Sequence, residues 1–367
     1  MATPSGGDIS SCRERVPITQ VRARAFTIPT DCPEADGTFA WSSTTLIAVE
    51  LTAGSVIGLG YTYTDASSVG LICQTLAPVL AGANVFDIEA CWQKLQRHIR
   101  NIGREGMCAT AISAIDAALW DAKAKLLGLP LGQLLGMVRN DVPIYGSGGF
   151  TTYSNRQLQA QLSSWIEKDG CQWVKMKIGT HPEKDVDRVK VARAAIGGTA
   201  GLFVDANGAF TVRSALAMAE AFSTYDVSWF EEPVSSDDTL GLSSVRRRAP
   251  VGMEIAAGEY GYNTDNFLGL LNAKSVDVLQ ADASRCGGVT GFLKAAALSD
   301  AFHIPFSAHC APALHRHIAG SIANFRHLEW FHDHVRIETM LFDGAPAASN
   351  GVVRLDLSRP GFGIALR

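Results

Sequence analysis

Three acidic residues in the second half of the chain each close a strand-like run. They are Asp205 in LFVDAN, Glu231 in VSWFEEP and Glu259 in MEIAAGEYG. Consecutive members lie about 25 to 30 residues apart, the length of one strand-plus-helix unit in a parallel α/β protein. If these strands are neighbours, their carboxylates meet at one edge and repel one another, and a hard divalent cation such as Mg²⁺ relieves the repulsion. Glu232 competes with Glu231 for the second position, because adjacent strand residues point to opposite sides.

Two lysines precede this acidic series by one unit. Lys175 and Lys177 stand two residues apart in WVKMKIG and therefore share one face of a strand. Two ammonium groups this close lower each other's pKa, as does a nearby metal ion, so that one of them can be a free amine near neutral pH. The pattern predicts a lysine base beside the metal site.

A histidine and an aspartate end two later strand-like runs. His309 ends IPFSAH, and Asp282 ends VDVLQAD one unit earlier. An acid next to a histidine fixes the imidazole tautomer and raises its basicity. This pair is therefore the candidate for a second acid/base.

Four further histidines form H-x-H pairs that could suggest zinc. In a helix, two-residue spacing splays side chains apart, so solvated or capping roles are expected instead. A zinc amidohydrolase would also need H-x-H at the end of the first barrel strand, and YGSGGF has none. The four residues are His315, His317, His332 and His334.

The elements that must position these residues change character along the chain. Residues 17–60 alternate as an antiparallel meander and are followed by helical stretches, which indicates an α+β domain. From residue 143 the pattern becomes repeated strand then helix, typical of a closed α/β barrel. We expect domains at 1–138 and 139–335, with a segment at 336–367 that returns to the first domain. The eight barrel strands are predicted at 144–149, 172–178, 201–206, 227–232, 253–258, 276–282, 304–308 and 327–331.

Length and composition agree with such an enzyme. The 367 residues fit one barrel of about 250 residues plus an extra domain. A net charge of −4 gives no reason to expect nucleic-acid or membrane partners. Scattered cysteines without a C-x-x-C pair, a polar N-terminus and no long apolar run predict a cytoplasmic protein with reduced thiols.

The motifs VKMKIG, VDAN, FEEP, GE and DASRCGGVTG occur in the order typical of the enolase superfamily, and from about residue 17 the chain resembles its mandelate racemase branch. The resemblance implies a modified TIM barrel of the (β/α)7β type beneath an N-terminal α+β capping domain. It also implies Mg²⁺ held by Asp205, Glu231 and Glu259, with the first Glu of Glu-Glu-Pro as the ligand. Relatives of this kind are commonly multimeric, so we expect a homo-oligomer.

The same resemblance implies roles for the remaining site residues. Lys177 is one acid/base, tuned by Lys175, and His309 with Asp282 is the acid/base on the opposite face of the substrate. Glu338, in VRIETM, matches the group that donates a hydrogen bond to the substrate carboxylate. Asn207 is expected to contact the substrate as well.

The implied chemistry is removal of a proton alpha to a carboxylate, which gives an enediolate. Our first hypothesis is dehydration of a sugar acid, an aldonate or aldarate, to a 2-keto-3-deoxy acid. The alternative is a racemase, epimerase or cycloisomerase acting on a 2-hydroxy acid or sugar acid. Branches that act on muconate or dipeptides carry lysine where this chain has Asp282, which argues against those substrates.

Capping-domain loops at 29–41 and 60–68 are expected over the barrel mouth. Their polar and aromatic side chains would either line the substrate cavity or pack the domain interface. These residues are Glu34, Asp36, Trp41, Tyr61 and Tyr63.

Overall fold

The computed structural model describes residues 15–367, so the polar N-terminus and Cys12 lie outside the described residues. The chain starts with a three-stranded antiparallel sheet: β1 (Ile18–Ala35), β2 (Ala40–Ala53) and β3 (Val56–Tyr63). This confirms the predicted meander. Between Pro29 and Glu34 the register of β1 against β2 shifts, so β1 carries extra residues there.

One long helix, Met107–Leu126, covers this sheet. Its alanines let it approach β3 at backbone distance: a β-carbon on Gly58 or Gly60 would lie 2.1 Å from a helix carbonyl oxygen. Small residues on both elements therefore set the contact. The other helical segments before the barrel are Ser68–Gly70, Leu71–Leu76, Ala77–Leu80, Ile88–His98, Ile99–Asn101 and Leu131–Leu134.

Eight parallel strands follow, each paired with the next, and the eighth pairs with the first to close a barrel. All eight occur where the sequence predicted them, with ends that differ by a few residues. They are β4 (Asp141–Gly148), β5 (Trp173–Lys177), β6 (Gly201–Asp205), β7 (Val227–Glu231), β8 (Glu254–Ala257), β9 (Val278–Ala281), β10 (Phe306–Ala308) and β11 (Phe325–Phe331).

A helix follows every barrel strand. The first seven form the outer wall, and the eighth turns to the capping domain, where His332 Nε2 lies 2.9 Å from Asp31 Oδ2 and Arg336 donates to the Pro29 carbonyl. The architecture is therefore the modified TIM barrel with an N-terminal cap that was expected. The helices are Asn155–Glu167, Pro182–Ile196, Val212–Ser223, Thr239–Arg246, Thr264–Asn272, Gly288–Ala301, Pro312–Ala319 and His332–Leu341.

Alternation along the strands sorts the barrel interior into layers. Phe203 and Trp229 stack at 5.1 Å and stand two residues before Asp205 and Glu231, so they share their inward face. Together with Tyr145 they form a buried aromatic layer. The charged side chains above this layer are thereby confined to the C-terminal mouth of the barrel.

The last residues run back along the molecule. β12 (Phe342–Asp343) pairs with β15 (Ala365–Leu366), and β13 (Ala348–Ser349) with β14 (Val352–Arg354), which adds antiparallel to β4. The Phe362 N–H donates to Asp121 of the long cap helix at 2.8 Å. The domain boundaries remain a prediction. In residues 15–367, no helix combines the length and apolar character needed to cross a membrane.

Candidate active site

Asp205, Glu231 and Glu259 meet at the mouth of the barrel. Each offers a carboxylate oxygen, and the three oxygens lie within 4.8 Å of one another. Asp205 and Glu231 are the last residues of neighbouring strands and pair in register, while Glu259 follows the next strand by two residues. All three are buried. Glu232 is buried too but is not part of this cluster, so the structure brings Glu231 and not Glu232 to the site.

Both lysines of β5 point into the acidic layer. Lys175 Nζ lies 2.6 Å from Glu231 Oε1, and Lys177 Nζ lies 2.5 Å from Asp205 Oδ2 and 3.1 Å from Asn207 Oδ1. Burial lowers the pKa of each lysine, but the neighbouring carboxylates outweigh it and raise the pKa above its ordinary value. Each ammonium thus has a closer opposite charge than the other lysine, and the expectation of one neutral lysine, which included a nearby metal ion, stays a prediction.

The residues present fit a hard divalent cation. Burial raises the pKa of Glu231, and the charge of Asp205 raises it further. The two lysines therefore do not fully compensate the negative charge of the cluster. Glu259 Oε2 is buried without a hydrogen-bond partner. A buried, unpaired carboxylate oxygen costs free energy that a cation recovers.

His309 contacts the other end of the same cluster. Its Nδ1 lies 2.8 Å from Asp282 Oδ2, and its Nε2 lies 3.4 Å from Glu259 Oε2. Burial raises the pKa of Asp282, but the hydrogen bond and charge of His309 outweigh it and hold that pKa well below its usual range. Asp282 therefore carries a negative charge that orients the ring and stabilises an imidazolium. Arg285 bridges the two acids, with Nη1 3.3 Å from Glu259 Oε1 and Nε 3.7 Å from Asp282 Oδ2.

Glu329, on β11, is a site residue that the sequence reading missed. It is buried, and its Oε1 lies 2.8 Å from Lys175 Nζ while its Oε2 lies 3.7 Å from His309 Nε2. Burial raises its pKa, but Lys175 and His309 outweigh burial and hold the pKa well below its ordinary value. A signal was available: Glu329 is an acid in the mostly buried strand FRHLEWF, at a position that alternation places inward.

Glu338 lies elsewhere, which corrects the expectation that it donates to the substrate. Its Oε1 accepts a hydrogen bond from Tyr61 at 2.6 Å, and its Oε2 accepts from the Ala313 N–H at 2.8 Å. It is buried behind the cavity wall and does not line the cavity. Burial raises the pKa of Glu338 to about 8. Glu338 belongs to helix His332–Leu341. Its two hydrogen bonds link the start of helix Pro312–Ala319 to Tyr61 on β3.

Above the barrel mouth lies a cavity of about 490 Å³ between barrel and cap. Asn207 lines it, beside Lys177, and the cap contributes Asp36, Trp41 and Tyr63. The other two cap residues singled out from the sequence, Tyr61 and Glu34, do not line it: Tyr61 is fully buried, and Glu34 accepts a hydrogen bond from the Trp41 indole at 2.8 Å. The wall residues from the barrel are Lys177, Asn207, Glu259, Tyr260, Arg285, His309, Cys310, Glu329, Phe331 and His334.

The tip of the β1–β2 hairpin, residues 36–39, rests directly on the barrel loops. A β-carbon on Gly37 would lie 2.3 Å from the Ala206 carbonyl oxygen and 2.6 Å from that of Ile178. Thr151 and Thr180 both donate to the Asp36 carbonyl, at 3.1 and 2.5 Å. The hairpin tip thus closes one side of the cavity.

The H-x-H histidines are mostly buried, so of the two expected roles the solvated one is wrong for three of them. The capping role agrees with His317, whose Nδ1 accepts from the Gly132 N–H in the first turn of helix Leu131–Leu134. His315 and His317 have no exposed surface, and His334 is 6% exposed. His315 Nε2 accepts from the Ala283 N–H at 2.8 Å, next to Asp282, and thus supports the turn that carries this aspartate. His332 is partly exposed and contacts Asp31.

Comparisons with known proteins agree with this architecture. A family model described as "Enolase C-terminal domain-like" matches residues 157–367, and "Mandelate racemase / muconate lactonizing enzyme, N-terminal domain" matches residues 20–136. The crystal structure of a mandelate racemase/muconate lactonizing enzyme-like protein from Rubrobacter xylanophilus is 48% identical, with a TM-score of 0.93 over 96% of this chain and 97% of that one.

Relatives with named activities include sugar-acid dehydratases and cycloisomerases. The 3,6-anhydro-alpha-L-galactonate cycloisomerase of Streptomyces coelicolor is 32% identical over 95% of this chain and 97% of its own length. The L-talarate/galactarate dehydratase of Salmonella typhimurium, solved with Mg and L-lyxarohydroxamate, is 26% identical with a TM-score of 0.89, over 99% of this chain and 94% of that one. The chain belongs to the enolase superfamily, in its mandelate racemase/muconate lactonizing enzyme group.

Proposed function

We propose that this protein is a Mg²⁺-dependent enzyme that removes the proton alpha to the carboxylate of a sugar acid and then eliminates the substituent on the β-carbon. In its simplest form the reaction is a dehydration to a 2-keto-3-deoxy acid. The observation that carries the proposal is the placement of two acid/base groups at opposite ends of one carboxylate cluster. Lys177 contacts Asp205 at one end, and His309 contacts Glu259 at the other.

Asp205, Glu231 and Glu259 would hold the metal ion. When bound, Mg²⁺ supplies a Lewis acid that stabilises the negative charge that develops on the substrate carboxylate. Glu329 lies between Lys175 and His309 and takes the place expected for Glu338. We assign it to the hydrogen bonding of the substrate carboxylate, as a donor that takes up a proton when the negative charge of the substrate arrives beside it, with Lys175 holding it in position.

Lys177 is the candidate base. In the structure its ammonium is held by Asp205 at 2.5 Å. When Asp205 serves as a metal ligand, Lys177 loses most of this ion pair, and burial then favours its neutral amine. Asn207 Oδ1, at 3.1 Å, still orients the nitrogen toward the cavity.

His309 is the candidate acid on the opposite side. The Asp282 carboxylate, 2.8 Å from Nδ1, stabilises the imidazolium, and Nε2, which contacts Cys310 Sγ at 3.2 Å, would supply the proton to the departing oxygen. The electron pair of the broken α-C–H bond forms the new double bond, and the β-C–O bond breaks with its electrons on oxygen. A free hydroxyl then leaves as water.

The second candidate is a cycloisomerase, favoured by similarity to the Streptomyces coelicolor enzyme along nearly the full length of both chains. The same proton transfers apply. If the departing oxygen belongs to a ring, it stays attached to the product, and the reaction is an isomerisation without change of mass.

One screen tests both. Aldonic acids, aldaric acids and their anhydro and lactone forms are incubated with protein and Mg²⁺, and products are trapped with semicarbazide and weighed by mass spectrometry. A 2-keto product lighter by one water supports dehydration, and one of unchanged mass supports cycloisomerisation. Lys177→Ala and His309→Asn are the controls. Absence of any 2-keto acid across the library, either lighter by one water or of unchanged mass, would overturn the proposal.

A further inference from the structure

His334 is a buried histidine that the proposed chemistry does not use. It belongs to helix His332–Leu341, lines the cavity and is 6% exposed. Its ring stacks on Tyr63, with centroids 3.4 Å apart and planes at 13°, and meets Phe331 edge-on. Aromatic contacts on two sides fix the plane of the imidazole.

The hydrogen bond of His334 determines which nitrogen carries its proton. The Ala311 N–H donates to Nδ1 at 3.2 Å. A nitrogen that accepts a hydrogen bond carries no proton, so the ring is neutral with its hydrogen on Nε2. Burial and the neighbouring His309 lower the pKa of His334 well below its ordinary value, which agrees with this neutral form.

The Nε2–H has no acceptor of its own in the part of the chain from residue 15 onward, yet it is not among the fully buried unpaired atoms. It therefore opens to the cavity that His334 lines. Ala311 stands two residues after His309, so the Nδ1 edge of the His334 ring is held on the His309 side of the cavity. The cap residues Thr44 and Tyr63 complete this part of the wall.

We propose that His334 is a substrate-binding residue whose Nε2–H donates a hydrogen bond to an oxygen of the substrate chain beyond the two carbons that react. The inference rests on the proposed function and adds a determinant of substrate choice. An acid with a hydroxyl or ring oxygen at this place satisfies the donor. An acid that brings a methylene there leaves a desolvated N–H unpaired and binds more weakly.

The test compares acids with and without such an oxygen. Mg²⁺-dependent binding to the whole protein is measured by calorimetry for oxalate, which has only two carbons, and for a panel of five- and six-carbon aldonates and aldarates. His334→Phe keeps the stacking on Tyr63 but has no donor, whereas His334→Gln retains an N–H. We expect His334→Phe to weaken the best panel acid about tenfold while oxalate is unchanged, with most of the loss restored in His334→Gln.

Equal binding of the panel acids by wild type and His334→Phe would overturn the inference, and so would an equal loss for oxalate. Nitrogen-15 NMR of histidine-labelled protein gives an independent readout without any ligand. We expect His334 to remain the Nε2–H tautomer from about pH 5.5 to 8.5, and a protonated ring or an Nδ1–H tautomer contradicts the proposal. If wild type binds neither oxalate nor any panel acid with Mg²⁺, the proposed function fails and takes this inference with it.

Discussion

Replacing Glu329 and Glu338 separately by glutamine distinguishes the carboxylate at the cavity from the one behind it. Both changes are isosteric and each removes one buried carboxyl group. Glu329 Oε1 lies 2.8 Å from Lys175 Nζ, a gross attraction of about 6 kcal/mol at an effective dielectric constant of 20. Lys175 keeps Glu231 at 2.6 Å, an attraction of similar size, so it remains charged in Glu329→Gln.

The effect of Glu329→Gln should therefore fall on catalysis. The glutamine side chain still accepts from Ser147, which contacts Glu329 Oε1 at 2.5 Å in the unaltered protein, so the strand packing is kept. Loss of one group that meets developing charge costs about 10²- to 10³-fold in kcat/KM, or about 3 to 4 kcal/mol. Glu338→Gln touches no cavity atom, so its kcat/KM should stay within about threefold of wild type.

The assay is the Mg²⁺-saturated turnover of the acid found in the library screen, with circular dichroism and thermal unfolding as checks on folding. The loss of stability should instead be seen in Glu338→Gln. Glutamine at position 338 places an amide donor among the Tyr61 and Ala313 donors, which lowers the free energy of unfolding by about 1 to 3 kcal/mol. Full activity in Glu329→Gln together with a hundredfold loss in a folded Glu338→Gln would refute the assignment.

Three further results are expected. Asp282→Asn removes the charge 2.8 Å from His309 Nδ1, so kcat should fall about 10²- to 10⁴-fold while unfolding stays cooperative; a rate near wild type contradicts the pairing. Burial raises the pKa of Glu338 from 4.5 to about 8, so its protonated carboxyl stabilises the fold fully below pH 4.5. This contribution is lost as the pH rises to about 8, by up to about 1.4 kcal/mol per pH unit. Glu338→Gln should therefore flatten the decline in unfolding free energy that wild type shows between these pH values. Chelation with EDTA should abolish turnover and added Mg²⁺ restore it, whereas Glu259→Gln should raise the Mg²⁺ concentration needed at least about tenfold; unchanged turnover in EDTA would exclude the assigned cation.

The barrel strands were predictable because turns, alternation and length repeat at every unit. Strand ends then located Asp205 and His309 and left Glu231 and Glu232 as alternatives, since a parallel barrel brings all its carboxyl ends to one face. The family resemblance chose Glu231. Glu329 was missed because a single acid within a strand forms no motif, and only its inward position by alternation distinguishes it. The role expected of Glu338 rested on the resemblance of VRIETM to the family pattern. Its helix is oriented so that Glu338 faces Tyr61 on β3 and not the cavity.

Charge balance was the harder quantity to derive. The spacing of Lys175 and Lys177 predicted mutual repulsion. Their pKa values depend instead on how close the carboxylates of neighbouring strands come to each ammonium, and sequence does not give these distances. Burial of His334 was missed for a related reason. A return to the cap was expected from residue 336, but the helix that makes it begins at His332, and its first turn already buries His334.

The contact of Gly37 with the barrel is made mainly by backbone, against the carbonyl oxygens of Ala206 and Ile178, with the β-carbon of Ala209 beside them. Substitutions of the neighbouring side chains at the hairpin tip can therefore change which acids the cavity accepts, without weakening this contact between the two domains. A β-carbon at position 37 would separate the surfaces whatever its neighbours are. Position 37 is thus restricted to glycine by geometry, whereas the positions beside it can vary.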